Sequence, residues 1–344
     1  KNRSYLNLKS SQLITDFGKT SSEIKKAYKV LQKAKSQLNM IKKQVLLEGI
    51  SAYLQVLQAR EKLKYAKQSE ENIKEQTGIE ESLVRKGAGL SSNVLQARAQ
   101  LSGAKALLVR AEGNLETAKN RFQAVFHSSL NQEQLISLTE PKLPKEKLPT
   151  TKKMAVQRAL KNNPQLMVLK KELESASEEV DIQKGNLLPK INIFAEFEYL
   201  NNDSGIEGYR KEARGGIEMS YNLFKSGGNL AAVKAARENK TSVYKNLKYR
   251  SWQVERRAKD DWNDYLIQTQ NYKFLQNQAR IADEFLRLAK KERKLGNRSL
   301  LDILSGETEY IQAVSNAVAA KISRKLAAYE LLFTTGDLSL KAIK

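Results

Sequence analysis

The chain has 344 residues, a formal net charge of +22, 40% hydrophobic residues, 5 Pro, 17 Gly and no Cys. The lack of thiols excludes a disulfide framework, a thiol nucleophile and a zinc–thiolate site, and no apolar run approaches the ~18 residues that a spanning helix needs. Long tracts of Ala, Leu, Lys, Glu and Gln imply a mostly helical chain, so any membrane crossing falls to strands.

The sequence opens at Lys1 with neither an initiator Met nor an apolar signal segment, as expected of a mature or trimmed form. Tyr5 to Ile14 reads as a strand with Leu6, Leu8 and Ile14 on one face and Asn7, Lys9 and Ser11 on the other. From Thr20 to about Arg85 no Pro intervenes. Positions 24, 31, 38, 45, 52, 59, 66 and 73 are Ile, Leu, Leu, Val, Ala, Ala, Ala and Ile, which is the seam of a heptad-repeat helix. At ~1.5 Å per residue such a helix extends about 100 Å. The Gly-rich segment 86–92 predicts a reversal, with Ser91 and Ser92 suited to capping a second helix that runs to Phe126.

Leu130 to Thr151 carries Pro141, Pro144 and Pro149 and reads as an irregular connection. Helices are expected over Lys152–Asn162 and Pro164–Asn186, Pro164 suiting a helix start. Lys190 to Asn201 then alternates Ile191, Ile193, Ala195, Phe197 and Tyr199 with mostly polar residues, Phe194 and Leu200 excepted. Ala213 to Phe224 does the same with Ile217, Met219, Tyr221 and Leu223. Joined by the loop Asn201–Glu212, these strands match a transmembrane hairpin whose outward face is Ile191, Ile193, Phe197, Tyr199, Ile217, Met219, Tyr221 and Leu223. A long helix from Asn229 to Leu295, a turn at Gly296–Ser299 and a helix from Leu300 to Thr335 complete the pattern.

Landmarks recur at one spacing. Gly18 answers Gly227, Ala27 answers Ala236, Gly87 answers Gly296 and Leu95 answers Leu304, each pair 209 apart (296 − 87 = 209). The chain is therefore read as a duplication: a first repeat over 1–130, a connection with a short helix over 131–163, a second repeat over 164–335 and a tail over 336–344. The second hairpin predicts a first one, whose other strand and incoming helix are expected before Lys1.

The elements resemble the TolC family of bacterial outer-membrane efflux and secretion ducts. The resemblance rests on segment 12–19 (QLITDFGK) and its counterpart 221–228 (YNLFKSGG), on 89–100 (GLSSNVLQARAQ), on 159–164 (ALKNNP) and on Leu187-Leu188-Pro189 before a strand. It implies a mainly α fold with a small β part: long antiparallel coiled-coil helices forming a trimeric α-barrel, topped by a shared transmembrane β-barrel. It further implies a homotrimer in outer-membrane lipid, working with a periplasmic adaptor and an inner-membrane ABC or proton-driven transporter in efflux or type I protein secretion. No catalytic residue, cofactor or bound metal is implied. Carried over by position, the periplasmic gate falls at Asp302, Arg298, Ser92, Asn93 and Ser305. Three copies of Asp302 about an axis would form a ring that attracts cations, and Arg298 would clasp Ser92 and Asn93.

The residues themselves leave a second reading, a soluble basic coiled-coil scaffold or nucleic-acid-binding rod. Against nucleic acid, Lys and Arg are interleaved with Glu and Gln and no aromatic reading surface accompanies them. Asp16-Phe17-Gly18 and Gly18-Lys19-Thr20 imitate pieces of kinase and phosphate-loop motifs without their required neighbours. His127 is the only histidine, so a triad or histidine metal cluster has nothing to build on.

Overall fold

A computed structural model describes residues 4–202 and 207–340. They fall into two compact units, Lys1–Asn39 with Pro164–Trp252 and Met40–Asn163 with Gln253–Lys344. The fold is mainly helical with one small antiparallel sheet, and the long helices α1 (Lys19–Arg85) and α6 (Gly228–Lys294) each contribute residues to both units.

The first unit holds strands β1 (Ser4–Thr15), β2 (Lys190–Asn201) and β3 (Tyr209–Ser220), ordered β1-β2-β3, so β1 and β3 are edges. β2 has the expected bounds, but β3 is displaced by four residues from the expected 213–224. The register explains this: Lys190 pairs with Ser220, and Pro189 before it lacks the N–H that a longer ladder requires. At the other end Asn201 pairs with Tyr209, and the Asn202 N–H donates to the Gly208 carbonyl at 2.8 Å. Residues 203–206 of the predicted loop, including Asp203, lie outside the described residues. An irregularity between Leu13 and Thr15 places Thr15 opposite Ile191. Thr15, rather than Ile14, therefore continues the Leu6 and Leu8 face, because one extra residue reverses the alternation.

The duplication shows in the backbone. Phe17 and Gly18 both have positive φ, and so do Ser226 and Gly227. The Ser22 N–H donates to Gly18 O at 2.9 Å, and the Ala231 N–H to Gly227 O at 3.0 Å. Both strand-to-helix junctions thus make the same left-handed turn. Asp16 secures the first by accepting from the Thr20 N–H at 2.9 Å. Helix α5 (Pro164–Gly185) joins α1 through a ladder of ion pairs, Lys26–Glu179 at 2.6 Å, Lys29–Glu174 at 2.8 Å and Lys33–Glu172 at 3.2 Å.

In the second unit α1 and α6 are joined by α2 (Ser91–Phe126), α3 (Gln132–Ser137), α4 (Lys152–Asn162) and α7 (Leu300–Thr334). The seam of α1 divides in two. Ala52, Ala59, Ala66 and Ile73 are buried, and Ala59 packs with Val56 against Leu115, Ala118 and Phe122 of α2. Ile24, Leu31, Leu38 and Val45 are 66, 47, 53 and 53% exposed. Small side chains in the buried half let the antiparallel partner approach closely.

The predicted irregular connection contains α3, which begins with a capping box: Asn131 Oδ1 accepts from the Gln134 N–H at 2.8 Å and Gln134 Oε1 from the Asn131 N–H at 3.1 Å. The rest of it is pinned to α7. The buried ammonium of Lys325 donates to the Pro141 carbonyl and pairs with Glu140 at 2.6 Å. Desolvation draws the Lys325 pKa below the usual lysine value, while Lys321 and Lys325 together hold Glu140 below the usual carboxylate range against the opposing effect of its burial. The described part of the tail turns at Gly336, where φ is +78° and an added Cβ would lie 2.2 Å from the Asn162 carbonyl oxygen. Residues 341–344 lie outside the description.

Candidate functional site

Two features are built from the predicted residues, one in each unit. The first is the strand ribbon. Pairing sets Leu6 against Tyr199, Leu8 against Phe197 and Gln12 against Ile193, and continues across β2 with Phe197 against Ala213, Ile193 against Ile217 and Ile191 against Met219. These share one face, and its large apolar side chains stand open: Leu8 59%, Ile193 48%, Phe197 39%, Ile217 71% and Met219 64% exposed. At the loop end of the same face the Lys211 ammonium lies 5.9 Å from the Tyr199 ring and 5.3 Å from the Tyr209 ring. Tyr221 and Leu223, also assigned to this face, follow the end of β3 and lie outside the sheet.

The opposite face is charged. Asn7 donates to Glu196 at 3.1 Å, and Arg214 lies 3.6 Å from Glu198 and 3.9 Å from Glu196. The two exceptions to its polarity have local partners or burial. Phe194 covers Gly216, whose added Cβ would meet the Phe194 ring at 3.2 Å, and Leu200 is buried. A sheet whose polar face pairs charges while its apolar face stays bare is the inverse of a soluble hairpin folded over a core.

The second feature comprises the two helix reversals of the second unit. After α1 the Gly87 N–H donates to Val84 O and the Ala88 N–H to Leu83 O, both at 3.0 Å. After α6 the Gly296 N–H donates to Arg293 O at 2.9 Å and the Asn297 N–H to Glu292 O at 3.0 Å, the same pair of bonds 209 residues on. Their caps differ. Ser299 opens α7, its Oγ accepting from the Asp302 N–H at 3.2 Å, whereas α2 begins at Leu90 with no side-chain cap. Ser91 and Ser92 therefore do not cap α2 as expected, because the cap position of the first copy holds an apolar residue.

Asp302 and Asn93 occupy equivalent positions (302 − 93 = 209) in the first turns of α7 and α2. Asp302, Ser305 and Ser92 are exposed, and Asn93 is half-buried. The Asp302 carboxylate has no hydrogen-bond or ion-pair partner among the described residues. Arg298 lies on its own turn: Nε donates to Glu292 Oε2 at 2.7 Å and the guanidinium is 5.2 Å from the Phe285 ring. Within the chain Arg298 is engaged there rather than with Ser92 or Asn93.

A family model described as outer membrane efflux protein matches residues 2–126 and 155–337. The chain belongs to this family. Among curated relatives, outer membrane efflux protein BepC of Brucella suis is 23% identical over 332 residues, which is 96% of this chain and 71% of that one. Alkaline protease secretion protein AprF of Pseudomonas aeruginosa is 22% identical over 300 residues, covering 86% of this chain and 62% of its own. The fold is shared with the MtrE outer membrane channel of Neisseria gonorrhoeae, at a TM-score of 0.77 and 16% identity, covering 97% of this chain and 80% of that one.

Members of the outer membrane efflux protein family are channel-tunnels of the bacterial outer membrane that extend into the periplasm, not enzymes. Among the described residues no helix is long and apolar enough to cross a membrane and no metal-binding group of His, Cys, Asp or Glu occurs. Two buried carboxylates of the second unit were not singled out from the sequence, Glu80 and Glu307, which are 2% and 3% exposed. A signal was present: Glu80 lies seven residues after Ile73, on the seam itself.

Proposed function

We propose that the chain is one protomer of a homotrimeric, passive duct through which cargo leaves a bacterial cell, gated at the helix reversals. The observation that carries this reading is the sheet, 12 residues per strand, with two unpaired edges and a bare apolar face. Twelve residues at ~3.3 Å and a tilt of ~40° rise about 30 Å, enough for the apolar band of an outer membrane. Open edges are not tolerated in hydrocarbon, so strands of several chains must close one barrel. The exposed half of the α1 seam gives neighbouring protomers a surface on which to assemble, and the family resemblance supplies the number three.

In this reading Ile191, Ile193, Phe197, Tyr199, Ile217 and Met219 face lipid, and the charged face lines a wet lumen. Asp302 and Ser305 border the narrow end, with Arg298, Ser92 and Asn93 beside them. An adaptor and an inner-membrane transporter deliver cargo. The secretion branch is favoured by the likeness of segment 16–19 and by a relative named for alkaline protease secretion; efflux is the competing use, after BepC. Planar-bilayer recording tests the duct: purified protein should give discrete cation-preferring openings, and a silent bilayer at protein levels sufficient for insertion would contradict it. Chemical crosslinking in the native envelope should recover an adaptor and a transporter, and their identity decides between secretion and efflux.

A further inference from the structure

One cation breaks the pattern of the ribbon's apolar face. The rows of that face run from Ser4, Asn201 and Tyr209 at the loop end to Thr15, Ile191 and Met219 at the helix end. Lys211, level with Leu6 and Tyr199, is the only charged residue on it among the described residues. The acids closest to it along the strands, Glu198 and Glu212, stand on the opposite face, where Glu198 lies 3.6 Å from Arg214 and Glu212 pairs with Arg210 at 3.2 Å. Among the described residues the Lys211 ammonium therefore has no ion-pair partner. It has instead two rings, those of Tyr199 and Tyr209, at 5.9 and 5.3 Å.

Depth decides what this costs. The midpoint of β2 lies between Ala195 and Glu196, so Tyr199 and Lys211 stand three to four residues from it. In the proposed duct, at ~3.3 Å per residue and a tilt of ~40°, that is about 9 Å from the middle of the bilayer, inside an apolar band that reaches about 12 Å to either side. An ionisable group rooted at such a depth is rare and points to a function with a partner of opposite charge. Its flexible stem can lift the ammonium to the interface, where the two tyrosines belong to an aromatic girdle. The two ends of the face are unlike, because at the helix end the rows of Gln12, Ile193 and Ile217 and of Thr15, Ile191 and Met219 carry no charge. All three strands join their helices at that end. With those helices in the periplasm, the loop end and its cation meet the outer leaflet.

We propose that Lys211, with Tyr199 and Tyr209, binds the phosphate group of an outer-leaflet glycolipid on the outside of the barrel. The site rests on the reading of the chain as an outer-membrane duct. Phosphate supplies the negative charge that the ammonium lacks, and the exposed Tyr209 ring offers an amphipathic surface at headgroup level. Toward the bilayer centre Leu8, Phe197 and Ile193 give acyl chains an apolar surface. A neighbouring copy would continue the barrel with the same face, whose described residues hold no acid, so the counter-charge falls to the lipid.

The test titrates the full-length protein in detergent with a bis-phosphorylated, acylated glucosamine disaccharide and counts bound lipid by native mass spectrometry. Lys211→Met keeps an apolar stem without the charge and should weaken binding on the order of fivefold per site, whereas Lys211→Arg should retain it. Arg210→Gln, at the same end but on the opposite face, should bind as wild type does. Wild-type protein should hold the dephosphorylated form of the same glycolipid as weakly as Lys211→Met holds the phosphorylated one. This comparison needs no variant, so it decides the matter even where a substitution prevents folding. Equal binding of the two lipid forms, or undiminished binding by Lys211→Met, overturns the site. Phosphatidylglycerol that binds as tightly, or inorganic phosphate that displaces the glycolipid, overturns the assignment to a glycolipid. These results leave the duct standing; folded wild-type protein that stays dispersed without detergent overturns the duct reading and the site with it.

Discussion

Replacing Phe197 by Arg tests whether the ribbon faces hydrocarbon. The midpoint of β2 falls between Ala195 and Glu196, so Phe197 stands one to two residues from it, on the bare face and opposite Leu8 and Ala213. In the proposed duct, at ~3.3 Å per residue and a tilt of ~40°, the side chain would sit about 4 Å from the middle of the bilayer. A guanidinium at that depth costs about 2–4 kcal/mol per chain, or about 6–12 kcal/mol for three copies in one barrel. Lys211, on the same face, lies nearer the strand end and can extend its ammonium to the interface beside Tyr199 and Tyr209. Phe197→Arg should therefore abolish the heat-resistant assembly in outer-membrane fractions, as read by semi-native electrophoresis. Glu196→Gln, one residue away on the charged face, should leave assembly within about twofold of wild type, since a lumen substitution meets water. Equal assembly of the two variants would refute the assignment of faces.

Other consequences follow from the turns and the helices. Arg298→Ser removes the Glu292 ion pair and the Phe285 contact and should raise single-channel conductance; an unchanged value removes Arg298 from the gate. Gly296 and Gly336 have nearly the same φ, +81° and +78°, but only at Gly336 would a Cβ meet the Asn162 carbonyl. Gly296→Ala should cost about 1–2 kcal/mol of left-handed strain, lowering the midpoint of helix loss by about 2–8 °C for a unit of this size. Gly336→Ala should lower it by clearly more, measured by circular dichroism in detergent; equal shifts would show that the close approach is absent. The Lys29 and Lys26 ammonium groups hold Glu174 and Glu179 below the usual glutamate range. Their stabilisation is present above the unfolded-state glutamate value near 4.5 and is lost as pH falls through the lower folded-state values. These pairs are exposed to solvent and screened by it, so α1 and α5 should show only a modest gain in hydrogen exchange below pH 4 that high salt mimics at neutral pH.

The long helices were legible because heptad spacing and the Gly87 and Gly296 reversals are local signals, repeated 209 residues apart. The alternation of Ile191 to Tyr199 likewise gave β2 its bounds. The end of β3 was not legible: Tyr221 and Leu223 keep the alternation, but a strand ends where its partner does, and that depends on Pro189 thirty residues earlier. Thr15 took the place expected for Ile14 because one extra residue in β1 reverses the faces, which a period of two cannot reveal. Helix α3 was hidden by the three prolines that follow it, although Asn131 and Gln134 carry its capping box. At the reversals, position alone brought Asp302 and Asn93 to matching first turns, while the partner of Arg298 was a neighbour on its own turn. Glu80 and Arg293 are 213 residues apart, and nothing local in either helix announces their meeting.

The central claim is that several copies of this chain close one barrel around their strands, and the molar mass of the protein in detergent tests it most directly. Light scattering with the detergent contribution subtracted should give a protein mass three times that of one chain, 38.9 kDa for the sequence given. A mass of one chain for protein that is folded and stays dispersed without detergent would contradict it.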